Sequence, residues 1–465
     1  MRLAMVCLAG LTVLGACTTP GRRTPPPPEA ATVPPASWRA AATLSDDRIA
    51  ADWWKAFGDP RLSELVAAAL AYNADLGAAE ARVREAEAQS RLASTALSPS
   101  ISLSAGVQKA RDLNPFGQPS VTLAAQPQLQ IAYEVDLWGR LRAADAAGRA
   151  NLQASRYARD AARLSVSAAV ARAYVALLSL DAQLATARAT LTSRQEAAAR
   201  ARRRAREGVT SDLELRQAEG ELEASAQRIP ALELAIRRQE AALTLLVGET
   251  SRAVARGRLG DLVIPQPSSP LPSALLARRP DIGQGEAALV AADASLAAAR
   301  AAFLPQVRLS AAGGGLFVEQ LDPLTVWSLG ASVLAPIFDG GRLRAQADTA
   351  TARRDQAAFA YRKAALTAFG EVESALEGTG RLAEQEEAAV RQRAAAASAF
   401  THARKRYQAG YVAYLEELDA QRGLLATELA LSQVREARLQ NAVTLYQALG
   451  GGWTAGTPSP PQRAD

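Results

Sequence analysis

The sequence has very little histidine and cysteine. Its 465 residues include one histidine, His402, and two cysteines, Cys7 and Cys17, which both lie near the amino terminus. A Cys/His zinc site and a disulfide framework each need more of these residues than the chain provides. No Ser-His-Asp triad can be built without His402. The sequence therefore predicts a protein that is not an enzyme and that has no catalytic residues, no metal site and no cofactor.

An excess of charge of one sign is also missing. The 53 Lys and Arg residues minus the 47 Asp and Glu residues leave a net charge of +6, and basic side chains are interspersed with acidic ones. A nucleic-acid-binding chain gathers its basic residues into a patch or a tail. No nucleic-acid partner is therefore predicted.

The amino terminus resembles a bacterial lipoprotein signal. Arg2 precedes an apolar run at residues 3–13, which is too short to span a bilayer as a stable helix. The following Leu14-Gly15-Ala16-Cys17 resembles a lipobox, which implies that Cys17 is lipidated and becomes the new amino terminus. Because Thr18 is not Asp, the resemblance implies the outer membrane. The alternative is an ordinary secretory signal with a cysteine at its cleavage site.

The two halves of the chain repeat each other, and no long gap is needed to align them. Five pairs of segments match. At an offset of 206, 73–76 matches 279–282 and 97–105 matches 303–311; 135–142 matches 338–344 at an offset near 203; and at an offset of 202, 206–208 matches 408–410 and 246–248 matches 448–450. Each half is therefore predicted to be one structural unit of the same design.

The predicted organisation follows from this duplication and from the proline-rich segment after Cys17. Its parts are a signal peptide (1–16), a lipidated amino terminus with an extended tether (17–37), a first structural repeat (38–248), an equatorial linker (249–272), a second structural repeat (273–450) and a carboxyl-terminal tail (451–465). The repeats are predicted to contain β-hairpins, at about 100–136 and about 306–336, and long helices, at about 139–248 and about 340–450.

Each predicted hairpin has two segments with the period of an amphipathic strand. In the first segment, Ile101, Leu103, Ala105 and Val107 alternate with polar or small residues. Strands of about ten residues, tilted by about 40°, span about 25 Å, the height of the apolar band of an outer-membrane barrel. A soluble sandwich is the alternative. Four strands cannot close a barrel alone, so a barrel requires several chains.

After each hairpin, a long segment at 139–206 or 341–408 contains no proline. At about 1.5 Å per residue, each segment predicts a helix of roughly 100 Å. Returning helices are predicted at about 211–246 and about 412–449. Pro230 predicts a kink or a helix junction in the first of them.

Five motifs occur in this order: WWKAFGDP at 53–60, YEVDLWGR at 133–140, RRPDI at 278–282, APIFDGG at 335–341 and YLEELDAQR at 414–422. Together they resemble the lipoprotein branch of the TolC-like outer-membrane efflux channels, over nearly all of the mature chain. The resemblance implies a mixed α and β membrane protein. The resemblance further implies a homotrimer whose chains each give four strands to one twelve-stranded β-barrel, which a long α-helical barrel continues.

The resemblance also implies function and partners. Such channels contact outer-membrane lipid, extend through the periplasm and form the passive exit ducts of tripartite pumps for drugs and other small solutes. They work with a periplasmic adaptor (membrane fusion) protein and an inner-membrane transporter, here of the resistance–nodulation–division (RND) type. The alternatives are an exit duct for metal ions or secreted proteins, and a non-conducting coiled-coil lipoprotein scaffold of the periplasm. The paired amphipathic strands favour the channel.

Glu416 and Asp419 are three residues apart and therefore share one helix face. In the family, the matching positions line the constricted periplasmic entrance, so a trimer would bring six carboxylates together and favour cations. The alternative is a solvated helix face on which Arg422 is the partner of these acids.

The resemblance implies further roles near the carboxyl-terminal end of each long helix. Tyr407 and Glu214 match family positions whose hydrogen bonding holds the entrance shut, whereas the basic gate position of the family falls on Val412. The turns at Gly208 and Gly410 lie where the adaptor docks in the family. The predicted adaptor-docking residues are Gly208, Val209, Gly410 and Tyr411.

Overall fold

The computed structural model of the protein describes residues 27–40, 49–113, 116–319 and 322–454. The predicted signal peptide, Cys17 and residues 455–465 lie outside the described residues. Within them, the helices are α1 (Pro60–Tyr72), α2 (Ala74–Thr95), α3 (Arg140–Arg206), α4 (Asp212–Val247), α5 (Pro272–Leu275), α6 (Pro280–Ala301), α7 (Arg342–Gln408) and α8 (Tyr414–Ala448), and the strands are β1 (Ser100–Leu113), β2 (Pro119–Val135), β3 (Gln306–Val318) and β4 (Leu324–Leu334).

The chain divides into two compact units. The first unit comprises the described residues of 1–31, 82–156 and 284–363, and the second comprises those of 32–81, 157–283 and 364–465. The long helices α3 and α7 contain 67 residues each. They confirm that each predicted hairpin is followed by one long helix.

The first unit contains one antiparallel sheet in the order β1-β2-β3-β4. The four predicted strands are therefore confirmed. The hairpin β1-β2 is joined to the hairpin β3-β4 through β2 and β3, where Tyr133 faces Leu309. Among the described residues, β1 and β4 each pair with one strand only, so the sheet has two open edges.

The register of the sheet separates apolar from polar side chains. One row across the four strands is Ile101, Ile131, Ala311 and Leu329, and the neighbouring row on the opposite face is Ser102, Gln130, Ala312 and Ser328. Because side chains alternate along a strand, the row that contains Leu103, Leu129 and Trp327 continues the apolar face. The apolar face is exposed, with Leu329 80% accessible in the chain.

Aspartates fix the starts of the two long helices. The Asp136 carboxylate accepts hydrogen bonds from the backbone N–H of Leu141 (3.1 Å) and of Arg142 (2.9 Å). Asp339 likewise accepts from the backbone N–H of Leu343 at 3.0 Å. Acceptors at this end satisfy N–H groups that have no partner in the first helical turn, so each strand passes into a helix at a defined residue.

The core of the second unit is formed mainly by α1, α3, α4 and α8. The Trp53 and Tyr446 rings are stacked with centroids 5.3 Å apart, beside the fully buried Phe57.

Among the described helices, α3 alone is long and apolar enough to cross a membrane by length and composition. However, 56% of its most apolar window is buried within the chain, with Val170 and Leu177 in the core. This apolar stretch therefore belongs to the core.

The duplication is visible where each returning helix ends. The Asn73 side chain donates a hydrogen bond to the carbonyl of Leu246 at 2.9 Å, and at the matching position Arg279 donates to the carbonyl of Ala448 at 3.1 Å. Both side chains satisfy carbonyl groups in the last turn of a helix. An amide and a guanidinium thus perform the same task in the two repeats.

Two glycines follow these helices in the left-handed region. Gly248 has φ of +81° and Gly450 has φ of +91°. A Cβ atom at Gly248 would collide with the carbonyl of Tyr72, and one at Gly450 would collide with the carbonyl of Arg278. Both positions therefore require glycine for space as well as for conformation.

The helix α4 continues without interruption through Pro230. The prediction of a helix junction at this residue is therefore wrong. Proline removes one N–H donor and crowds the preceding turn, which destabilises a helix. Here α4 extends well beyond Pro230 in both directions and packs on the core through Ile236 and Leu243, and this packing stabilises the helix across the proline.

Candidate functional site

Two turns of the same geometry connect the long helices to the returning helices. Gly208 (φ +73°) and Gly410 (φ +79°) are both left-handed. The next residues, Val209 and Tyr411, each donate a backbone hydrogen bond to the carbonyl five residues earlier, at 2.8 Å and 2.9 Å. This pattern is a glycine-ended helix cap, and it leaves the side chains of Val209 and Tyr411 exposed.

An apolar cluster lies beside the turns and joins all four of these helices. We call it the turn cluster; it consists of Ala197, Ala198 and Ala201 on α3, Ala218 on α4, Tyr407 on α7, and Tyr414 and Leu418 on α8. The rings of Tyr407 and Tyr414 are 5.6 Å apart, and the Arg204 guanidinium lies 5.3 Å from the Tyr407 ring centroid. Small alanines let the helices approach closely around two large rings.

The structure brings Tyr407 and Glu214 together, as the sequence led us to expect. The Tyr407 hydroxyl donates a short hydrogen bond to the Glu214 carboxylate. Burial raises the pKa of Tyr407, and the bond to Glu214 raises it further. The phenol is therefore a neutral donor at physiological pH, and it ties the start of α4 to the end of α7.

Glu416 and Asp419 lie on the exposed side of α8 and each has a basic partner in the same chain. Glu416 pairs with Arg406 at 2.8 Å, and Asp419 lies 3.6 Å from Arg422. The side chains of the two acids are 44% and 64% exposed. Arg422 is thus a partner of Asp419, whereas the pairing of Glu416 with Arg406 was not predicted.

A charged triad that the sequence did not predict crosses from α3 through α4 to α8. The Glu221 carboxylate accepts short hydrogen bonds from Arg194 and from Arg422. The Arg194 side chain is only 2% exposed, and burial lowers its pKa. Burial opposes ionisation of Glu221, but the hydrogen bond from Arg422 and the charge of Arg194 outweigh it and lower the pKa of Glu221.

Glu417 is buried between the two exposed acids of α8. Burial raises its pKa, and its nearest cation, Arg200, is 3.8 Å away. The neighbouring Gln421 donates a hydrogen bond to the Ser193 hydroxyl at 2.9 Å. The packed face of α8 is therefore polar over one turn, and it is held to α3 by both charge and hydrogen bonding.

The sequence contained one signal for the triad. Glu214, Ala218 and Glu221 are four and then three residues apart, so they form one stripe of α4. Because Ala218 is in the turn cluster, Glu221, which lies seven residues after Glu214 on the same stripe, must also face another helix. Val412 also packs against this cluster, so a partly buried apolar side chain occupies the position that is basic in the family's gate.

These observations define a class of protein. The sheet has one apolar and one polar face and two open edges, and long helices are joined by turns that carry an ordered cluster of aromatic and charged residues. Lipid tolerates strands only in closed barrels, and an apolar outer face with a polar inner face is the pattern of an outer-membrane barrel. The chain is therefore a subunit of an oligomeric outer-membrane channel.

Comparison with known proteins identifies the family. The sequence model described as outer membrane efflux protein matches residues 65–249 and 271–451, so the chain belongs to the outer membrane efflux protein family. The pyoverdine export outer membrane protein OpmQ of Pseudomonas aeruginosa is 36% identical over 459 residues, which cover 96% of this chain and 96% of OpmQ. The probable outer membrane lipoprotein SilC of Salmonella typhimurium is 33% identical over 408 residues, which cover 86% of this chain and 88% of SilC.

A solved structure agrees with this assignment. The outer-membrane channel OprN matches with a TM-score of 0.86 and 28% identity, over 94% of this chain and 100% of OprN. The predicted family, fold class, efflux function and outer-membrane location are thus confirmed. The four strands and the long helices are the contributions of one chain to a β-barrel and to an α-helical barrel, and the protein is the outer-membrane component of an efflux pump.

Proposed function

We propose that three copies of the chain form a passive exit duct that performs no chemical reaction. The duct receives small organic solutes from an inner-membrane transporter of the RND type through a periplasmic adaptor protein. Cys17 carries a lipid that anchors each chain in the outer membrane. The adaptor contacts the two turns at Gly208 to Val209 and at Gly410 to Tyr411, whose side chains are exposed.

The observation that carries this proposal is the four-stranded sheet with two open edges. Each chain supplies four strands, so three chains supply the twelve strands of one closed barrel. The row Ile101, Ile131, Ala311 and Leu329 then faces lipid, and the row of Ser102 faces the water-filled lumen. A polar lumen suits a duct that leaves substrate choice to the pump.

The substrate class is inferred from relatives of different specificity. OpmQ is named for pyoverdine export, and a toluene efflux pump outer membrane protein of Pseudomonas putida is 34% identical to this chain over 414 residues. Because similar exit ducts serve such different small molecules, we extend small-solute export to this chain.

The experiment compares two neighbouring substitutions in β4. Leu329→Arg places a charge on the lipid face, which costs about 2 to 4 kcal/mol per chain near the bilayer midplane. Ser328→Arg places the same charge in the lumen and is expected to be tolerated. The readouts are the fraction of heat-modifiable trimer in outer-membrane extracts and the conductance of purified trimer in planar bilayers.

The wild-type protein is expected to be trimeric and conducting. Loss of trimer for Leu329→Arg together with trimer of altered conductance for Ser328→Arg supports a lipid-embedded duct. Equal effects of the two substitutions would contradict the assignment of faces, and a trimer that carries no current would indicate the non-conducting scaffold.

A further inference from the structure

An open cavity of about 510 Å³ lies between α3, α4 and α8 in the second unit. One stripe of α4, from Glu221 to Arg228, and one stripe of α8, from Arg422 to Gln433, line it at spacings of three and four residues, and α3 contributes Arg194. The stripe of α8 covers about 16 Å along the helix. Both the volume and the length suit a small organic molecule. We call this space the helix cavity.

The middle of the helix cavity is apolar. Leu425 and Leu429 line it, and Leu425 is almost fully buried. The alanines Ala224, Ala426 and Ala430 line the same region. Because alanine side chains are short, they leave space between α4 and α8. This apolar surface favours the hydrophobic part of a ligand.

Positive charge is in excess around the helix cavity. One acid and three arginines line it: Glu221, Arg194, Arg228 and Arg422. Glu221 is shared between Arg194 and Arg422. No ion pair within the described part of the chain includes Arg228. Asp419 lies 3.6 Å from Arg422 outside the cavity, and even when Asp419 is counted, the arginines outnumber the acids.

Arg194 gives a second, independent indication of a ligand. Its side chain is only 2% exposed. A guanidinium has five N–H donors. Among the described residues, the hydrogen bonding of Arg194 is confined to Nη1, which donates to Glu221, and its buried Nε–H has no acceptor. A buried donor without an acceptor is costly, so this side chain indicates an acceptor that the chain does not supply.

The internal duplication shows that the helices do not need these charges in order to form. At the offset of 202 residues, each charged residue has an uncharged counterpart in the other repeat: Ala396 for Arg194, Gly423 for Glu221, Ala430 for Arg228 and Gly220 for Arg422. The long and returning helices form in both repeats. The charges therefore serve the cavity and not the duplicated framework.

We propose that the helix cavity binds a small organic anion, with its carboxylate at Arg194 and Arg422 and its apolar body along Leu425 and Leu429. Arginine is suited to the carboxylate because its planar donors match the two oxygens. Arg228 lies about 10 Å from Glu221 along α4 and adds attraction for an anion. One chain builds the whole site, so it goes beyond the exit duct proposed above and does not depend on the trimer.

The probe for this site is 4-iodobenzoate, which carries one carboxylate on an apolar ring. Isothermal titration of the intact protein in lipid nanodiscs, with empty nanodiscs as the blank, measures its affinity. The neutral 4-iodobenzamide has nearly the same shape, and acetate lacks the ring. Both are expected to bind at least about tenfold more weakly than 4-iodobenzoate. The anomalous signal of iodine in soaked crystals is expected between α4 and α8.

Two variants change the helix cavity without removing the buried Arg194. Ala426→Leu fills its apolar middle and should weaken binding of 4-iodobenzoate at least about tenfold, whereas Ala395→Leu, at an exposed alanine of α7, should leave it unchanged. Arg228→Gln should weaken binding about threefold, and Arg238→Gln, at an exposed arginine of α4 outside the cavity, should not. Thermal unfolding verifies that each variant is folded.

Four results would overturn the proposal. They are no binding of 4-iodobenzoate, equal affinities for the acid and the amide, an unchanged affinity in folded Ala426→Leu, and iodine density away from the helix cavity. None of them bears on the trimer or its conductance, which the substitutions in β4 test separately.

Discussion

The hydrogen bond between Tyr407 and Glu214 allows a quantitative test of the closed entrance. Tyr407→Phe removes one hydroxyl from a buried ring and leaves the aromatic packing with Tyr414 in place. A hydrogen bond to a charged group contributes about 1.5 to 3 kcal/mol. Because Glu214 is only partly buried and water can replace the lost donor, the lower value of about 1.5 kcal/mol per chain is expected.

Two assays measure the effect. A double-mutant cycle with Glu214→Gln, followed by denaturant unfolding, isolates the coupling between the two side chains. In planar bilayers, the loss of three such bonds from one trimer should favour the open entrance and raise the mean conductance. The matched control is Tyr411→Phe, because the Tyr411 ring is 81% exposed and lies on the same turn.

The reasoning fails if the cycle gives a coupling energy near zero. It also fails if Tyr407→Phe and Tyr411→Phe change the conductance equally, since the hydrogen bond would then have no part in closing the entrance.

Four further predictions concern the charged triad, Gly450, the acidic residues Glu416 and Asp419, and the lipid on Cys17. Glu221→Gln should lower the free energy of unfolding by about 3 kcal/mol, because it leaves Arg194 buried without its counter-charge, whereas the exposed Glu223→Gln should change it by less than about 0.5 kcal/mol. The fold lowers the pKa of Glu221, so the contribution of this carboxylate to the free energy of unfolding is complete above its ordinary pKa of 4.5 and is lost as the pH falls through the lower pKa of the folded state. Urea unfolding below pH 4.5 should show this loss in the wild type and not in Glu221→Gln. Gly450→Ala should lower the free energy of unfolding by more than about 2 kcal/mol, because of the left-handed backbone and the collision with the carbonyl of Arg278. Gly220→Ala, in the exposed interior of α4, should raise it by about 0.5 to 1 kcal/mol. Thermal unfolding that ranks the two variants the other way contradicts the close contact between Gly450 and Arg278. Multivalent cations added from the periplasmic side should block the trimer, and replacing both Glu416 and Asp419 by Ala should remove the block; block that persists places the constriction elsewhere. Cys17→Ser should abolish metabolic labelling with palmitate without preventing barrel insertion, and label that remains would rule out the lipobox.

The fold was predictable from the sequence where local patterns determine it. The alternation from Ile101 to Val107 depends only on which face of a strand meets lipid, and the long helix α3 follows from a long segment without proline. The duplication then fixed the second repeat from the first. The hydrogen bond from Tyr407 to Glu214 was also expected, but through family resemblance and not from spacing.

Contacts between helices were not predictable in the same way. The triad of Arg194, Glu221 and Arg422 depends on how α3, α4 and α8 are rotated about their axes, which no single-helix pattern determines. The pairing of Glu416 with Arg406 crosses a turn whose backbone path is set by Gly410. At Pro230, the local tendency to break a helix was outweighed by packing of the surrounding turns on the core.

The different residues that hold the ends of the two returning helices give the halves of the chain different sensitivity to salt. Asn73 is neutral, so added ions do not screen its bond to the carbonyl of Leu246. Arg279 is held in place by Asp281 at 2.7 Å and by Glu371 at 2.6 Å, and the side chains of both acids are at least 40% exposed. Ions reach and weaken such exposed charges. We therefore expect a rise in ionic strength to weaken the hold on the end of α8 more than the hold on the end of α4, although the two ends descend from one duplicated design.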